Sequence, residues 1–412
     1  MDKTSKDLKT MRILHLSTSL EGGAGLAARR LNAALNSSGL DSKILSLGKN
    51  AQILQINEYL QPRNLITKFR SSLLTFLQFR LAQSGNNLVT SRSISTFNSL
   101  VVFQSYDVIH VHATYNFIND SVLNALFDSG AKLFFTMHDQ RLFTGGCHYS
   151  LDCLQYKTSC ESCPQVKSPF KRQVKLSHER RVKLFARARR VNLISPSIWL
   201  ANLAKSSRVL DTYEISILLN PVPEFYSFGD PEKLRLKFGY AKNEIVINFI
   251  AANLINANKG LSTLFEAILS VDREKRARLR LVLIGNSQQL KIPHGVDCEV
   301  LEHQSESETA LRLRAGDVLI VPSKIDNSPN VIGEALMAGS MVFGAAVGGI
   351  SEIMEEMNFR TFPSGDCTTL AEILNDFEPT YDKNEIIRKA KALFSYDVIG
   401  DKFKNLYLSQ FR

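Results

Sequence analysis

The chain has 412 residues, 44% hydrophobic and 22% charged, which is too long for one core and fits two domains of ordinary size. No run of about 18 uncharged apolar residues occurs and the first ten residues lack the apolar centre of a secretory signal, so the expected location is cytoplasmic, with peripheral contact at the inner face of the membrane left open. Net charge is +10, and six cysteines in a chain this size do not make a disulfide scaffold.

Met11 to Ser17 is a short apolar run suited to a buried parallel strand. Glu21-Gly22-Gly23-Ala24-Gly25 follows as a glycine-rich turn, and Leu26 to Leu35 has helical spacing. Strand, glycine-rich turn and helix open a Rossmann-like unit in which glycine lets a ligand approach the backbone. Ser42 to Leu47 reads as a second strand. Between Gln61 and Asn98, Leu65, Ile66, Phe69, Leu73, Phe76 and Leu77 mark an amphipathic helix that also carries Arg63, Lys68 and Arg70. It covers the core or faces an acceptor or an anionic membrane.

Val108 to His112 and Ala131 to Asp139 are further strands that end in polar residues, at the edge where open parallel sheets hold ligands. Cys147, Cys153, Cys160 and Cys163 come next, with gaps of five, six and two residues. Four thiolates at such spacing suit a structural zinc, the Cys160-x-x-Cys163 half being typical and His148 a weaker ligand; disulfides and unligated thiols are the other readings. From Lys167 to Arg190 there are ten Lys or Arg and one acid, Glu179. Such a stretch is a solvated helix face, or it meets an anionic membrane or a phosphorylated acceptor. Without aromatic interleaving it is not expected to bind nucleic acid.

Strands at Val191 to Ser197 and Ile215 to Pro221 close the first domain, and Pro221-Val222-Pro223 begins a linker. The expected domains are 1–220, 221–394 and a final helix, 395–412, that packs back on the first. The second domain repeats the alternation with strands at Ile245 to Ile250, Leu279 to Gly285 and Asp317 to Pro322. Lys259-Gly260 stands before a helix at Leu261 to Leu269. In Ser323 to Glu334, Ser328 is a good N-cap and Pro329 a good first helical residue. The amides of Asn330 and Val331 would then open an anion site. Asp326 and Glu334 flank the same mouth, and a carboxylate accepts two hydroxyls of a sugar or ribose. A strand pattern at Met341 to Phe343 leads to Gly348-Gly349-Ile350-Ser351-Glu352.

Acid-x7-Glu, a small-Gly turn, a strand and Gly-Gly-x-x-Glu together resemble the C-terminal signature of retaining GT-B glycosyltransferases, glycosyltransferase family 4. The run from Thr136 to His148 looks like the members found in exopolysaccharide clusters. The resemblance implies an α/β fold of two Rossmann-like parallel-sheet domains facing across a cleft. It also implies a nucleotide-sugar donor, a saccharide or lipid-linked acceptor, retention at the anomeric carbon and no cofactor for catalysis. Carried over residue by residue, it makes His138, Asp326 and Lys259 the catalytic set. Gly23, Lys259, Asn327, Ser328, Asn330, Val331 and Glu334 become the donor-binding set. Two departures stand out: the first acid is usually Glu and here is Asp326, shorter by roughly 1.5 Å, and the arginine that commonly precedes the lysine is missing from Ala251 to Asn256. A phosphorylase or sugar-phosphate synthase of the same fold, and a non-catalytic nucleotide-sugar-binding subunit, are the alternatives.

Overall fold

A computed structural model of the chain describes residues 11–46, 103–113, 118, 120–188 and 190–411. The amphipathic segment expected between Gln61 and Asn98, and the Leu47 end of the second strand, lie outside these residues. The chain divides into two units, Met1–Leu219 with Gly400–Arg412, and Asn220–Ile399.

In the first unit six parallel strands form one sheet: β1 (Arg12–Ser17), β2 (Asp41–Ser46), β3 (Val108–Val111), β4 (Lys132–Thr136), β5 (Val191–Ser195) and β6 (Ile215–Ile217), in the order β2-β1-β3-β4-β5-β6. All four residues of β3 are buried, as a strand covered on both faces requires. One face packs Leu14, Leu16, Ile109, Val111, Leu133 and Phe135 into an apolar core. The other carries His15, His110 and Phe134; His110 packs on Phe403 and Tyr407 of the last helix, Tyr396–Ser409, and Phe134 on Tyr407.

The helix after β1 begins earlier than its composition suggests, at Gly22, and runs to Ser37. The expected glycine turn is therefore mostly the helix's first turn, where amides have no intrahelical partner to lose. Gly25 is the glycine the chain itself requires, because a Cβ there would lie 2.4 Å from the Ser19 carbonyl oxygen.

The second unit holds β7 (Ile245–Asn253), β8 (Leu279–Asn286), β9 (Cys298–Leu301), β10 (Val318–Val321), β11 (Met341–Ala345) and β12 (Thr361–Phe362), all parallel, in the order β12-β11-β10-β7-β8-β9. The first strand lies mid-sheet, the next two extend to one side and the last three to the other. The order therefore reverses between β7 and β10, and between β1 and β3 in the first unit. Ligands of open parallel sheets bind beyond the carboxyl ends of the strands at such a reversal. The helix Lys383–Phe394, capped by Asp382 and burying Ile386, Ile387, Ala390 and Phe394, is an element the sequence reading did not anticipate.

Candidate active site

Three loops converge beyond β7, β10 and β11. The loop after β7 ends in a tight turn, Ala257–Lys259, followed by Gly260 at φ +73°. A Cβ on Gly260 would fall 1.9 Å from the Pro322 carbonyl oxygen, so only glycine allows the β7 and β10 loops to meet there. The Lys324 amide then donates to the Asn258 carbonyl at 2.8 Å and joins the two loops. Lys259 Nζ lies 2.6 Å from Asp326 Oδ2, and the other carboxylate oxygen accepts the Asn327 amide at 3.0 Å. From the β11 side, Gly348 at φ +56° would place a Cβ 1.9 Å from the Asp326 carbonyl oxygen, and the Gly349 amide donates to that same oxygen at 3.3 Å. Gly348 and Gly349 thus fix the backbone that presents Asp326.

The next helix spans Asn330–Met337. Its N-cap is Pro329, and no side chain caps it; this corrects the expectation that Ser328 caps and Pro329 is the first helical residue. The shift of one residue keeps Asn330 and Val331 as the first helical pair, both half-buried, at the positive end of the helix. Asn330 Oδ1 accepts from Asn220 Nδ2 at 3.0 Å. Asn327 is buried and Ser328 half-buried. Glu334 is only 4% exposed, so it is no solvated helix-face residue. A cation, a helix N-terminus and two buried acids therefore share the ligand end of this sheet.

In the first unit His138, half-buried, follows β4 and ends a line of histidines that runs inward to the buried His112 and His15. His15 Nδ1 is 2.9 Å from His112 Nε2, and His112 Nδ1 is 3.2 Å from His138 Nε2. His110 has both nitrogens engaged, Nδ1 with the Tyr407 hydroxyl at 2.6 Å and Nε2 with Thr136 Oγ1 at 2.7 Å. Burial pushes His15 down to about 3 and His138 down to about 4, the latter against the pull of Asp139. Burial likewise holds His110 and His112 well below the usual imidazole range, so all four rings are neutral at neutral pH. A cavity of about 20 Å³, room for a water molecule, is bordered by His112, Thr136, His138, Asp139 and Arg141. His15 escaped the sequence reading because it lies inside an apolar run. The signal was its register: His15 pairs with His110 across β1 and β3, and His112 is two residues on, on the same face. Gly23 lies exposed in the first turn of its helix, with nothing within 4 Å of where a Cβ would be.

Cys147, Cys160 and Cys163 are buried and Cys153 is half-buried, and none of the four is in a disulfide. A hydrogen bond from the Cys147 thiol, with the Gln165 and Val166 amides, draws Cys163 down to about 6, and the same pairing pushes Cys147 well up. Burial raises Cys160 to about 12 although the Gly145 amide donates to it, and the Gln155 amide donates to Cys153. Among the described residues the trio whose ligand atoms lie within 4.8 Å of one another is His15, His110 and His112, not a set of cysteines. His148 Nε2 lies 3.8 Å from Asp139. The basic helix Ser168–Arg187 is less solvated than its charge suggests. It buries Val174, His178, Arg181, Leu184 and Phe185; Arg181 donates to the Thr144 carbonyl and His178 to that of Tyr156, so both hold the cysteine loop.

Residues 245–377, from the start of β7 to the end of the helix Cys367–Asp376, match the family described as glycosyl transferases group 1. The second unit is a group 1 glycosyltransferase domain. The fold of the chain is GT-B. It is similar to sucrose-phosphate synthase from Thermosynechococcus elongatus, with a TM-score of 0.65 at 16% identity over 97% of this chain and 99% of that one. It is also similar to Anabaena HepE in complex with UDP-glucose, with a TM-score of 0.63 at 16% identity over 97% and 100%. A third likeness is to WaaG, a glycosyltransferase of lipopolysaccharide biosynthesis, with a TM-score of 0.59 at 13% identity over 96% and 99%. No curated protein matches the chain. The match to the group 1 domain takes in Lys259, Asp326 and Glu334, and among the described residues no helix is long and apolar enough to cross a membrane.

Proposed function

We propose that the chain is a retaining glycosyltransferase that moves a sugar from a nucleoside-diphosphate sugar to a hydroxyl of a saccharide or lipid-linked acceptor, in exopolysaccharide or cell-surface glycan synthesis. The observation that carries this reading is the meeting of Lys259, Asp326 and the uncapped helix at Asn330 where the strand order of the group 1 domain reverses. Departure of a nucleoside diphosphate builds negative charge on its phosphates. Lys259 and the Asn330 and Val331 amides are the groups that would offset that charge as it develops. Asp326 takes the sugar hydroxyls, Glu334 the ribose hydroxyls, and Asn327 and Ser328 line the same loop. His138, neutral, hydrogen-bonds the sugar, and Gly23 leaves room for a ligand against the backbone. With no carboxylate nucleophile assigned in the first unit, the leaving phosphate itself takes the acceptor's proton. No cofactor enters this chemistry.

UDP-glucose, the ligand of the Anabaena structure, is the first donor to test. The reading expects sugar release or transfer from one nucleotide sugar of a UDP, GDP and ADP panel, falling at least tenfold in Asp326→Asn. A panel with no turnover and no binding would overturn it.

We also propose that the four cysteines take a structural zinc ion. Backbone amides aimed at Cys153, Cys160 and Cys163 support this, because such donors favour the thiolate that a metal needs.

A further inference from the structure

We infer that His112, backed by His15, is a positioning residue that fixes His138 as the neutral tautomer with its proton on Nδ1. The inference rests on the reading of His138 as a sugar-binding residue, but its core is a statement about protons in the free protein.

Each neutral imidazole carries one N–H, and each of the two ring-to-ring hydrogen bonds needs one proton. The line His15–His112–His138 can therefore run in only two directions. In the first, His15 Nδ1–H donates to His112 Nε2, and His112 Nδ1–H donates to His138 Nε2. The proton of His138 is then on Nδ1, and His15 Nε2 is a bare acceptor. In the second, every bond reverses: His138 donates from Nε2, and His15 must carry its proton on Nε2.

His15 Nε2 is buried with no hydrogen-bond partner. The second direction therefore leaves an orphaned N–H in the protein interior, the rarer kind of unsatisfied group, whereas the first leaves an unprotonated nitrogen. The tautomer of His138 is thus set by an atom two rings away, at the closed end of the line. The register of the sheet builds this arrangement. His15 sits opposite His110 on the neighbouring strand, His112 is the next same-face residue, and Thr136 and Tyr407 occupy both nitrogens of His110, which keeps that ring out of the line.

The same trio invites a metal reading, since the ligand atoms of His15, His110 and His112 lie within 4.8 Å of one another. Against it, both nitrogens of His110 and both of His112 already hold hydrogen-bond partners. A metal would have to break several of those bonds to gain the single nitrogen of His15.

The test is a two-bond proton–nitrogen correlation spectrum of the full chain labelled with ¹⁵N-histidine, which reads the tautomer of each ring without any substrate. The expected result is His138 protonated on Nδ1 in the wild type. In His112→Leu, His138 should move toward the Nε2–H tautomer that free imidazole favours, and in His112→Asn, whose amide can donate from a similar place, it should stay on Nδ1. With UDP-glucose as the probe donor, kcat/KM is expected to fall about tenfold or more in His112→Leu and to recover in His112→Asn. A wild-type proton on Nε2, a tautomer unmoved by His112→Leu, or metal-bound resonances for His15 or His112 would each overturn the inference. The expected tautomers in a chain that transfers no sugar would support the inference and sink the transferase reading, so the two failures are distinguishable.

Discussion

Lys259 Nζ lies 2.6 Å from Asp326 Oδ2, so the cation assigned to the donor's phosphates and the carboxylate assigned to its sugar touch each other. The two come from loops after strands 65 residues apart in sequence, β7 and β10, which are neighbours in the sheet. The pair is thus a consequence of the strand order, and it ties the phosphate and sugar ends of the proposed site together. The lysine side chain is 34% exposed, so solvent screening leaves the bridge worth no more than about 1 kcal/mol. Lys259→Ala is therefore expected to change the unfolding free energy by about 1 kcal/mol or less, while reducing the thermal stabilisation given by a nucleoside diphosphate as its affinity falls about tenfold or more. Denaturant and thermal titrations with and without nucleotide check the split.

Two glycines make opposite predictions. Gly348 has φ +56°, and a Cβ there would fall 1.9 Å from the Asp326 carbonyl oxygen. Gly348→Ala is expected to cost about 1–3 kcal/mol of stability and to displace Asp326. Gly23 is helical with open space around it. Gly23→Ala should leave stability unchanged or raise it by up to about 1 kcal/mol. If Gly23 serves a ligand, activity falls all the same, and Tm measured beside kcat/KM separates the two effects.

The buried histidines set a pH dependence. Burial lowers His15 to about 3 and His138 to about 4, below the unfolded value of 6.5. Between pH 6.5 and those values the unfolded chain binds protons that the folded chain refuses. Stability is therefore complete above about pH 6.5 and lost as pH falls, each such histidine withdrawing about 1.4 kcal/mol per pH unit. His15→Phe removes one titrating group, so its unfolding free energy should fall less steeply with acid than that of the wild type. Equal slopes would contradict the buried neutral rings.

The cysteine loop makes a compositional prediction. Reduced, purified protein should carry one zinc ion per chain, and a chelator should remove it with a drop in Tm. Folded, reduced protein without metal would contradict the zinc proposal.

The central strands were legible as short apolar runs buried on two faces, whereas β9 is half-buried throughout and β12 is two residues long. The polar carboxyl end of its strand pointed to His138, and the motifs around Lys259 and Asp326 pointed to those two. The helix start at Asn330 was missed by one residue because Ser328 is a strong capping type; the chain uses no side-chain cap there. The glycines at 22, 23 and 25 looked like a turn, since glycine disfavours helix interiors, yet in the first turn that penalty is outweighed by the close approach of Gly25 to Ser19. The histidine line was illegible for another reason. His15 and His112 lie 97 residues apart and His112 and His138 lie 26 apart, and the registers of β1 with β3 and of β3 with β4 bring them together. The helix Lys383–Phe394 did have a signal, an Asp382 cap before apolar residues at 386, 387, 390 and 394.

The most direct test of the account is calorimetric titration of UDP, GDP and ADP into the full chain, its Lys259→Ala variant and its Glu334→Gln variant. The account predicts that one nucleoside diphosphate binds, and that each substitution weakens it about tenfold or more through lost phosphate or ribose contacts. Binding of none of the three, or binding indifferent to both substitutions, would contradict the assignment of the donor site to the β7–β10 reversal.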